Sequence, residues 1–343
     1  PPAGEGPVAA GDGGAGPSGL DGRPTNATCR ALPSAAAEPP PTLSQSGCFE
    51  RGAAPRPSPG LLAFDVNAPL WSDEASKRRW MAIPDDRKIH VGEDGDLEVP
   101  PGSVLAKEFS IAGKRVETRL LMRYGDGAWG GYSYKWAADE SDATLVAADG
   151  DALTEPIPWT FPSRTDCFRC HTTQAGVSLS LEVGQLNRAF EYEPGRVANQ
   201  LDSLQHVGLF DAPLPPAASL EAYARIDDAS ARFANRARSY LHGNCSGCHR
   251  PGGAGGGSPD LRYKTSFGEA MLCDVEPKGG TSGGPAGSKL ITPGDPSRSV
   301  LSLRMHATSG PLMPPLGRRT VDGAGVALVD GWISGLKLCP PDA

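Results

Sequence analysis

The chain of 343 residues carries, at residues 104–124, the stretch VLAKEFSIAGKRVETRLLMRY. Two runs rich in strand-forming residues flank Gly113-Lys114, an arrangement typical of a β-hairpin. In the second run apolar and charged side chains alternate, which predicts an antiparallel sheet with one buried face. The two sets are Val116, Thr118, Leu120, Met122 and Tyr124 on one side and Glu117, Arg119 and Arg123 on the other.

Two further strands are predicted after this hairpin, at residues 129–136 and 143–147. The first is rich in aromatic residues and follows the turn Gly125-Asp126-Gly127. Together with the hairpin, these strands make residues 26–215 a mainly antiparallel β-rich domain with a helical extension at its end.

Composition sets limits on the rest of the chain. Gly and Pro contribute 44 and 34 residues, and residues 1–25 are so rich in them that a flexible leader is predicted. Such a tether suits a lipid-anchored protein of the cell envelope, with the lipid upstream of residue 1. The net charge of −7 does not favour binding to nucleic acid or to an anionic membrane. No apolar run reaches the roughly eighteen residues of a membrane span.

Four of the eight cysteines form a repeated motif. Cys167-Phe-Arg-Cys170-His171 and Cys245-Ser-Gly-Cys248-His249 each place two thiols three positions apart, followed at once by an imidazole. This pattern is typical of c-type heme attachment, in which the thiols bind the porphyrin and the histidine binds the iron. A redox dithiol or a zinc ion shared by both pairs is the alternative, but neither needs a histidine after each pair. The sequence therefore predicts two covalently attached hemes.

Met313 is the predicted distal ligand of the second iron. It begins the stiff sequence Met313-Pro-Pro-Leu316, and a weak iron–sulfur bond benefits from a loop with little entropy to lose. Met305 is the rival ligand, although its helical context suggests packing in a core. His306 is expected to be an exposed residue at a helix end.

The arrangement around the second motif resembles a class I cytochrome c. An amphipathic helix is predicted before Cys245, with Ala237, Tyr240 and Leu241 at helical spacing, and another closes the chain around Trp332. The resemblance implies an all-α domain over residues 216–343, with His249 as the proximal and Met313 as the distal ligand. The expected fold class is therefore α+β, with this all-α domain after the β-rich one.

The distal ligand of the first iron stays open. His171 is the predicted proximal ligand, but no methionine follows it until Met271. The candidates are Met122, Met81, His206, His90 and His242, and a vacant position is a further alternative. A six-coordinate iron transfers electrons, whereas an open one binds small ligands.

Lys107 is the residue expected to approach the first heme. It has the parity of Leu105 and Phe109, which places its ammonium group on the apolar side of a regular strand, unless it reaches an edge. The motif Pro-x-Gly-x-Val-x-x-Lys-x-Phe, residues 100–109, resembles one in hydroxylamine-oxidising cytochromes with a lysine-linked heme and in their cytochrome c-prime-beta relatives.

The chain as a whole, from about residue 69 to 336, resembles a family of exported bacterial diheme c-type cytochromes. The resemblance rests on motifs such as Glu117-Thr-Arg-Leu-Leu121, Leu186-Asn-Arg188 and Asn199-Gln-Leu201. Within them, Asn187, Arg188 and Gln200 either pin loops or contact heme propionates. The expected function is transfer of single electrons between envelope donor and acceptor proteins. The alternative is an enzyme whose first heme acts on peroxide, nitric oxide or hydroxylamine.

The four remaining cysteines are expected to form disulfides. Heme attachment implies export to the periplasm or outer envelope, where disulfides persist. Pairing of neighbours, Cys29 with Cys48 and Cys273 with Cys339, is favoured, although four cysteines allow three pairings.

Overall fold

The computed structural model describes residues 18–52, 55–154, 158–257 and 259–339. Most of its regular structure is β. The strands are β1 (Phe49–Glu50), β2 (Arg56–Pro57), β3 (Leu62–Phe64), β4 (Ser76–Ala82), β5 (His90–Val91), β6 (Leu97–Glu98), β7 (Val104–Ile111), β8 (Lys114–Arg123), β9 (Trp129–Trp136), β10 (Ala143–Leu145), β11 (Asp151–Leu153), β12 (Trp159–Phe161), β13 (Ala189–Glu193) and β14 (Arg196–Asn199).

The central element is a six-stranded antiparallel sheet with strand order β10-β9-β8-β7-β4-β3. The predicted hairpin is confirmed as β7 and β8, and the two predicted strands after it are confirmed as β9 and β10. Ala112 and Gly113 make the tight turn of the hairpin, and both have positive φ values.

Both faces of this sheet are buried, so the prediction of a half-buried sheet is wrong. On the first face, Trp80, Ala106, Leu120 and Tyr132 form a cross-strand row that packs against the N-terminal segment around Phe49. On the second face, the row Met81–Leu105–Leu121 packs against residues 181–210. The side expected to meet solvent is therefore covered, and the Glu117 side chain is 0% exposed.

The described helices are few and short, and none exceeds 13 residues. They are α1 (Arg164–Cys170), α2 (Val183–Leu186), α3 (Gln200–His206), α4 (Phe233–Cys245), α5 (Val300–His306) and α6 (Gly323–Gly335).

The expected α+β fold with an all-α class I cytochrome c domain over residues 216–343 is wrong. In the described part of that segment, only α4, α5 and α6 are α-helical, and the long stretch between α4 and α5 consists of turns, bridges and a single 3-10 turn. The amphipathic pattern correctly predicted the two 13-residue helices, α4 and α6. Helical structure does not extend through the described residues of 246–299. Gly280, Gly283 and Gly287 there adopt positive φ values, which a helix does not accommodate.

The three C-terminal helices nevertheless share a small apolar core. Tyr240 and Leu241 of α4 pack with Met305 of α5 and with Trp332 and Ile333 of α6. This core is fastened to the sheet-rich part: Trp71 N donates a hydrogen bond to Asn244 Oδ1 at 2.8 Å. A Cβ on Gly243 would lie 2.3 Å from the Ala68 carbonyl oxygen, so only glycine permits this approach.

Several contacts cross the expected domain limits, which are residues 1–25, 26–215 and 216–343. Ala217 packs in the core on the second face of the sheet, and Tyr223 N donates to Gly184 O at 2.8 Å. Ser18–Arg23, within the expected leader, are held to the body, since Gly19 N donates to Ser203 Oγ and Arg23 to Pro84 O. Residues 1–17 of that leader lie outside the described residues.

The predicted pairing of neighbouring cysteines is confirmed. Cys29 is bonded to Cys48, which fixes the N-terminal segment on the first face of the sheet, and Cys273 is bonded to Cys339. The second bond closes a loop of 66 residues, and it ties the chain after α6 to the irregular stretch before α5. No helix in the described part of the chain is long and apolar enough to cross a membrane.

Candidate heme sites

The first Cys-x-x-Cys-His motif is built on α1. A capping box fixes the start of this helix, because Ser163 Oγ accepts from Asp166 N while the Asp166 carboxylate accepts from Ser163 N. The helix ends at Cys170, and His171 N donates to Cys167 O. The two thiols therefore project from one face of a short helix, with the imidazole immediately after it.

The orientation of the His171 ring is fixed by the chain itself. Its Nδ1 lies 2.5 Å from the carbonyl oxygen of Val177. Because a carbonyl only accepts, Nδ1 carries the proton, and the lone pair of Nε2 is left for a metal. Burial lowers the pKa of His171 to about 4 against the effect of the Val177 hydrogen bond. The ring is therefore neutral at physiological pH, which is the form that binds iron.

Gly131 of β9 makes room for the first cysteine. A Cβ at this position would lie 2.8 Å from Cys167 Sγ and 3.0 Å from Cys167 Cβ. Gly131 pairs with Leu121 on the second face of the sheet. The first motif thus sits directly on that face, and Phe168 packs in its core.

The second motif begins at Cys245, which is the last residue of α4. His249 N donates to Cys245 O, and its own carbonyl accepts from Leu261 N. Burial, followed by the nearby Arg304, holds the pKa of His249 below its ordinary value. A Cβ on Gly255 would lie 2.7 Å from His249 Nδ1, so a glycine again allows the backbone to approach the motif.

A cavity beside α4 brings the two candidate methionines together. Met305 and Met313 both line it, as do Tyr240 and Asn244 of α4 and Trp71 from the sheet-rich part. Met305 is 6% exposed and belongs to the apolar core, whereas Met313 is half-buried on the loop. His306 is exposed, as predicted, and it pairs with Asp330.

Asp73 fastens the loop that carries Met313. Its carboxylate accepts hydrogen bonds from Arg319 N, Thr320 N and Thr320 Oγ1 at 2.8–3.0 Å. At the other end of the loop, Met313 N donates to Arg304 O at 3.0 Å. Residues 71–73, remote in sequence, therefore shape the cavity and the loop that contain Met313.

The two motifs adjoin each other in space. Cys248 Sγ is 3.6 Å from the carbonyl oxygen of Arg169, the residue before Cys170. Arg250, next to His249, donates to Gln174 O at 3.3 Å. Sequence spacing gave no hint of this contact, because 73 residues, 172–244, lie between the motifs.

Each motif offers the donor groups that covalently attached heme requires, a pair of half-buried thiols and a half-buried imidazole. Within the described ranges, no group of three or more His, Cys, Asp or Glu side chains is arranged to hold a metal ion. Gly131 and Gly255 keep Cβ atoms away from both sites.

Three of the five distal candidates for the first iron are exposed or lie on the opposite face of the sheet. Met122 lies in the core on the opposite face of the sheet. His206 is exposed, and His90 is exposed and bonded to Asp211. Met81 lies on the second face with Leu105 and Leu121, but it is completely buried in the core.

His242 is unsuitable as a ligand because both ring nitrogens are engaged. Its Nδ1 accepts from Tyr263 N at 3.0 Å, so Nε2 carries the proton and donates to Glu182 Oε1 at 3.0 Å. Tyr223 donates its hydroxyl to the other Glu182 oxygen. This triad joins the chain after the first motif to α4, which leads into the second. Sequence analysis did not find it, since nothing in the spacing of its members links them.

Asp96 stands beside this triad. Its backbone bridges to Glu182, and burial, followed by the charges of Glu182 and Asp94, raises the pKa of Asp96 to about 6.

Lys107 is on the second face of the sheet, half-buried, and its charge together with that of Arg119 lowers the pKa of His171 further. The expected approach of Lys107 to the first heme stays a prediction.

The loop-pinning roles of Asn187, Arg188 and Gln200 are visible. Asn187 Nδ2 donates to Ala217 O at 2.8 Å, and Gln200 bonds the backbone of Asp65 through both its oxygen and its nitrogen. Arg188 donates to Val66 O and pairs with Asp65. These contacts hold the segment 65–74 that leads to the second site.

Comparison with known proteins gave no match: no family model, curated protein or solved structure is detectably similar to the chain.

Replacement of Gly131 by Ala is expected to impair attachment at the first motif. The added methyl group would overlap Cys167 Sγ, and such overpacking costs about 1–3 kcal/mol. Heme content by pyridine hemochrome, with peptide mapping, should show loss at residues 167–171 and normal occupancy at 245–249. Gly335→Ala is the control, since a Cβ there meets nothing within 4 Å. Full occupancy of both motifs in Gly131→Ala would contradict this account of the site.

Replacement of Asp96 by Asn is expected to change how stability depends on pH. The folded-state pKa of about 6 lies above the ordinary 3.8, so the unfolded chain releases this proton first. The free energy of unfolding of the wild type therefore falls as pH rises from about 4 to about 6. Urea unfolding should show the stability difference, variant minus wild type, growing across this window and constant above it. A difference independent of pH would disprove the raised pKa.

Proposed function

We propose that this protein is an exported diheme c-type cytochrome that transfers single electrons between redox partners of the bacterial envelope. The observation that carries the proposal is the close approach of two complete Cys-x-x-Cys-His motifs, in which Cys248 Sγ lies 3.6 Å from Arg169 O and Arg250 donates to Gln174 O. Each bound heme would supply an iron that gains and loses one electron. Attachment points this close suit a protein that passes electrons between two such groups.

The residues have separable tasks in this proposal. Cys167 and Cys170, and Cys245 and Cys248, hold the two porphyrins by thioether bonds. His171 and His249 are the proximal ligands, and the Val177 carbonyl keeps Nε2 of His171 available. Met313 is the proposed distal ligand of the second iron, and this His/Met pairing raises a reduction potential.

Export is part of the proposal. Covalent heme attachment and two disulfides suit an oxidising compartment outside the cytoplasm. Partner proteins of the envelope would donate and accept the electrons, and a lipid anchor upstream of residue 1 would keep the protein at a membrane.

Heme stoichiometry tests the proposal directly. Protein matured in a periplasmic expression host should contain two hemes per chain by pyridine hemochrome assay and by intact mass. The double variants Cys167→Ala/Cys170→Ala and Cys245→Ala/Cys248→Ala should each retain one. One heme or none in the wild type would refute the proposal.

The methionine assignment is tested by a matched pair of variants. Met313→Ala is expected to lower the reduction potential of the second heme and to raise its high-spin fraction, because a thioether ligand is lost. Met305→Ala, in the same cavity, is expected to lower stability by about 2–5 kcal/mol as a core truncation while leaving the potential in place. The reverse result would make Met305 the ligand.

A second function, a heme enzyme, is favoured by one observation. Of the five side chains considered opposite His171, three are exposed or on the opposite face of the sheet, His242 has both ring nitrogens engaged, and Met81 is completely buried in a core. A first heme left five-coordinate would bind peroxide, nitric oxide or hydroxylamine. A high-spin fraction near one half that shifts on addition of carbon monoxide would establish this function, whereas two unresponsive low-spin hemes would exclude it.

A further inference from the structure

Three cationic side chains on the second face of the sheet converge on one phenyl ring. The Nζ atoms of Lys77 and Lys107 lie 6.0 and 5.2 Å from the centroid of Phe109, and Arg119 Cζ lies 4.5 Å from it. Lys77, Lys107 and Arg119 are here called the Phe109 cation cluster. Adjacent strands place them together, since Lys77 pairs with Phe109, and Lys107 pairs with Arg119.

The carboxylates around this cluster do not balance its charge. Arg119 forms a bidentate pair with Glu117, which also accepts from Trp159 Nε1. Arg79, paired across from Lys107, shares Asp65 with Arg188. Asp73 and Asp322 act on Lys77 from farther away. Near Lys107, cations therefore outnumber nearby carboxylates.

Lys107 is the least satisfied of these cations. Within the described residues its ammonium group makes no hydrogen bond and no ion pair, and it makes a cation–π contact with the Phe109 ring. Burial, followed by the charges of Arg79, Lys77 and Arg119, holds its pKa well below the ordinary value. An enclosed amine under this repulsion is stabilised by an added negative charge.

A buried hydroxyl group completes the arrangement. Ser133 pairs with Arg119 in the same cross-strand row, is 6% exposed, and its Oγ has no hydrogen-bond partner among the described residues. Unsatisfied buried donors are rare in folded proteins. Cations and an orphaned hydroxyl on one enclosed surface are the donors that an oxyanion requires.

We propose that the Phe109 cation cluster, with Ser133, is a binding site for a carboxylate-like oxyanion on the sheet face that carries the first heme motif. Two sources share this chemistry: a small free anion, or a propionate of the first heme. The site itself follows from protein side chains alone, and only the propionate source rests on the proposed function.

The free-anion source is tested by titrating the purified holoprotein with nitrate. Thermal unfolding is followed at constant ionic strength set by a bulky sulfonate salt. A free anion site predicts a saturable rise in melting temperature in the wild type, weakened about tenfold or more in Lys107→Met and retained in Lys107→Arg. Lys135→Met is the control, because Lys135 lies on the same sheet but already pairs with Asp151.

The propionate source gives a different result. Nitrate would then leave the melting temperature of every variant unchanged, while Lys107→Met and Lys77→Met would lower the reduction potential of the first heme relative to Lys135→Met. Lys77→Met keeps the test valid if Lys107→Met does not fold. Wild-type behaviour of both variants in both assays would overturn the site.

The heme content of each sample, measured first, keeps this test separate from that of the proposed function. A chain without heme would refute the proposed function and leave the nitrate titration of the cation cluster interpretable.

Discussion

A sheet that buries both faces must satisfy every charged side chain that its alternation places inside. The first face meets this demand with apolar and aromatic residues, closed by the Cys29–Cys48 bond. The second face cannot, because β4, β7 and β8 carry Lys77, Arg79, Lys107, Glu117 and Arg119 on it. Some of these find carboxylates, and the charges of Lys107 and Arg119 lower the pKa of His171. The position of the first motif depends on this covered, charged face.

The hairpin and the two motifs could be predicted from sequence because their signals are local. Alternation over residues 114–123 and the spacing of Cys167, Cys170 and His171 need no knowledge of distant contacts. The same alternation wrongly predicted a solvent-exposed face, because residues 159–210 cover that face. Periodicity around Tyr240 and Trp332 likewise gave two real helices. It also suggested an all-α domain that the glycine-rich chain between them does not form.

The relation between the two sites could not be predicted, because it depends on tertiary contacts alone. The two motifs meet only after α1 packs against Gly131 and Gly243 of α4 packs against Ala68. The triad of Glu182, His242 and Tyr223 connects the chain after the first motif to α4, and each side-chain polar atom of the triad is engaged. Such a fully bonded network stabilises the junction of these two segments.

The second site depends on a short segment, Trp71 to Asp73, that lies far from it in the sequence. Met313 belongs to the C-terminal part, yet Trp71 in the wall of its cavity and Asp73, which holds the backbone of its loop, come more than 170 positions earlier. The C-terminal part is therefore not self-contained: expressed by itself, it would keep Met313 and lose the two side chains that enclose its cavity and hold its loop.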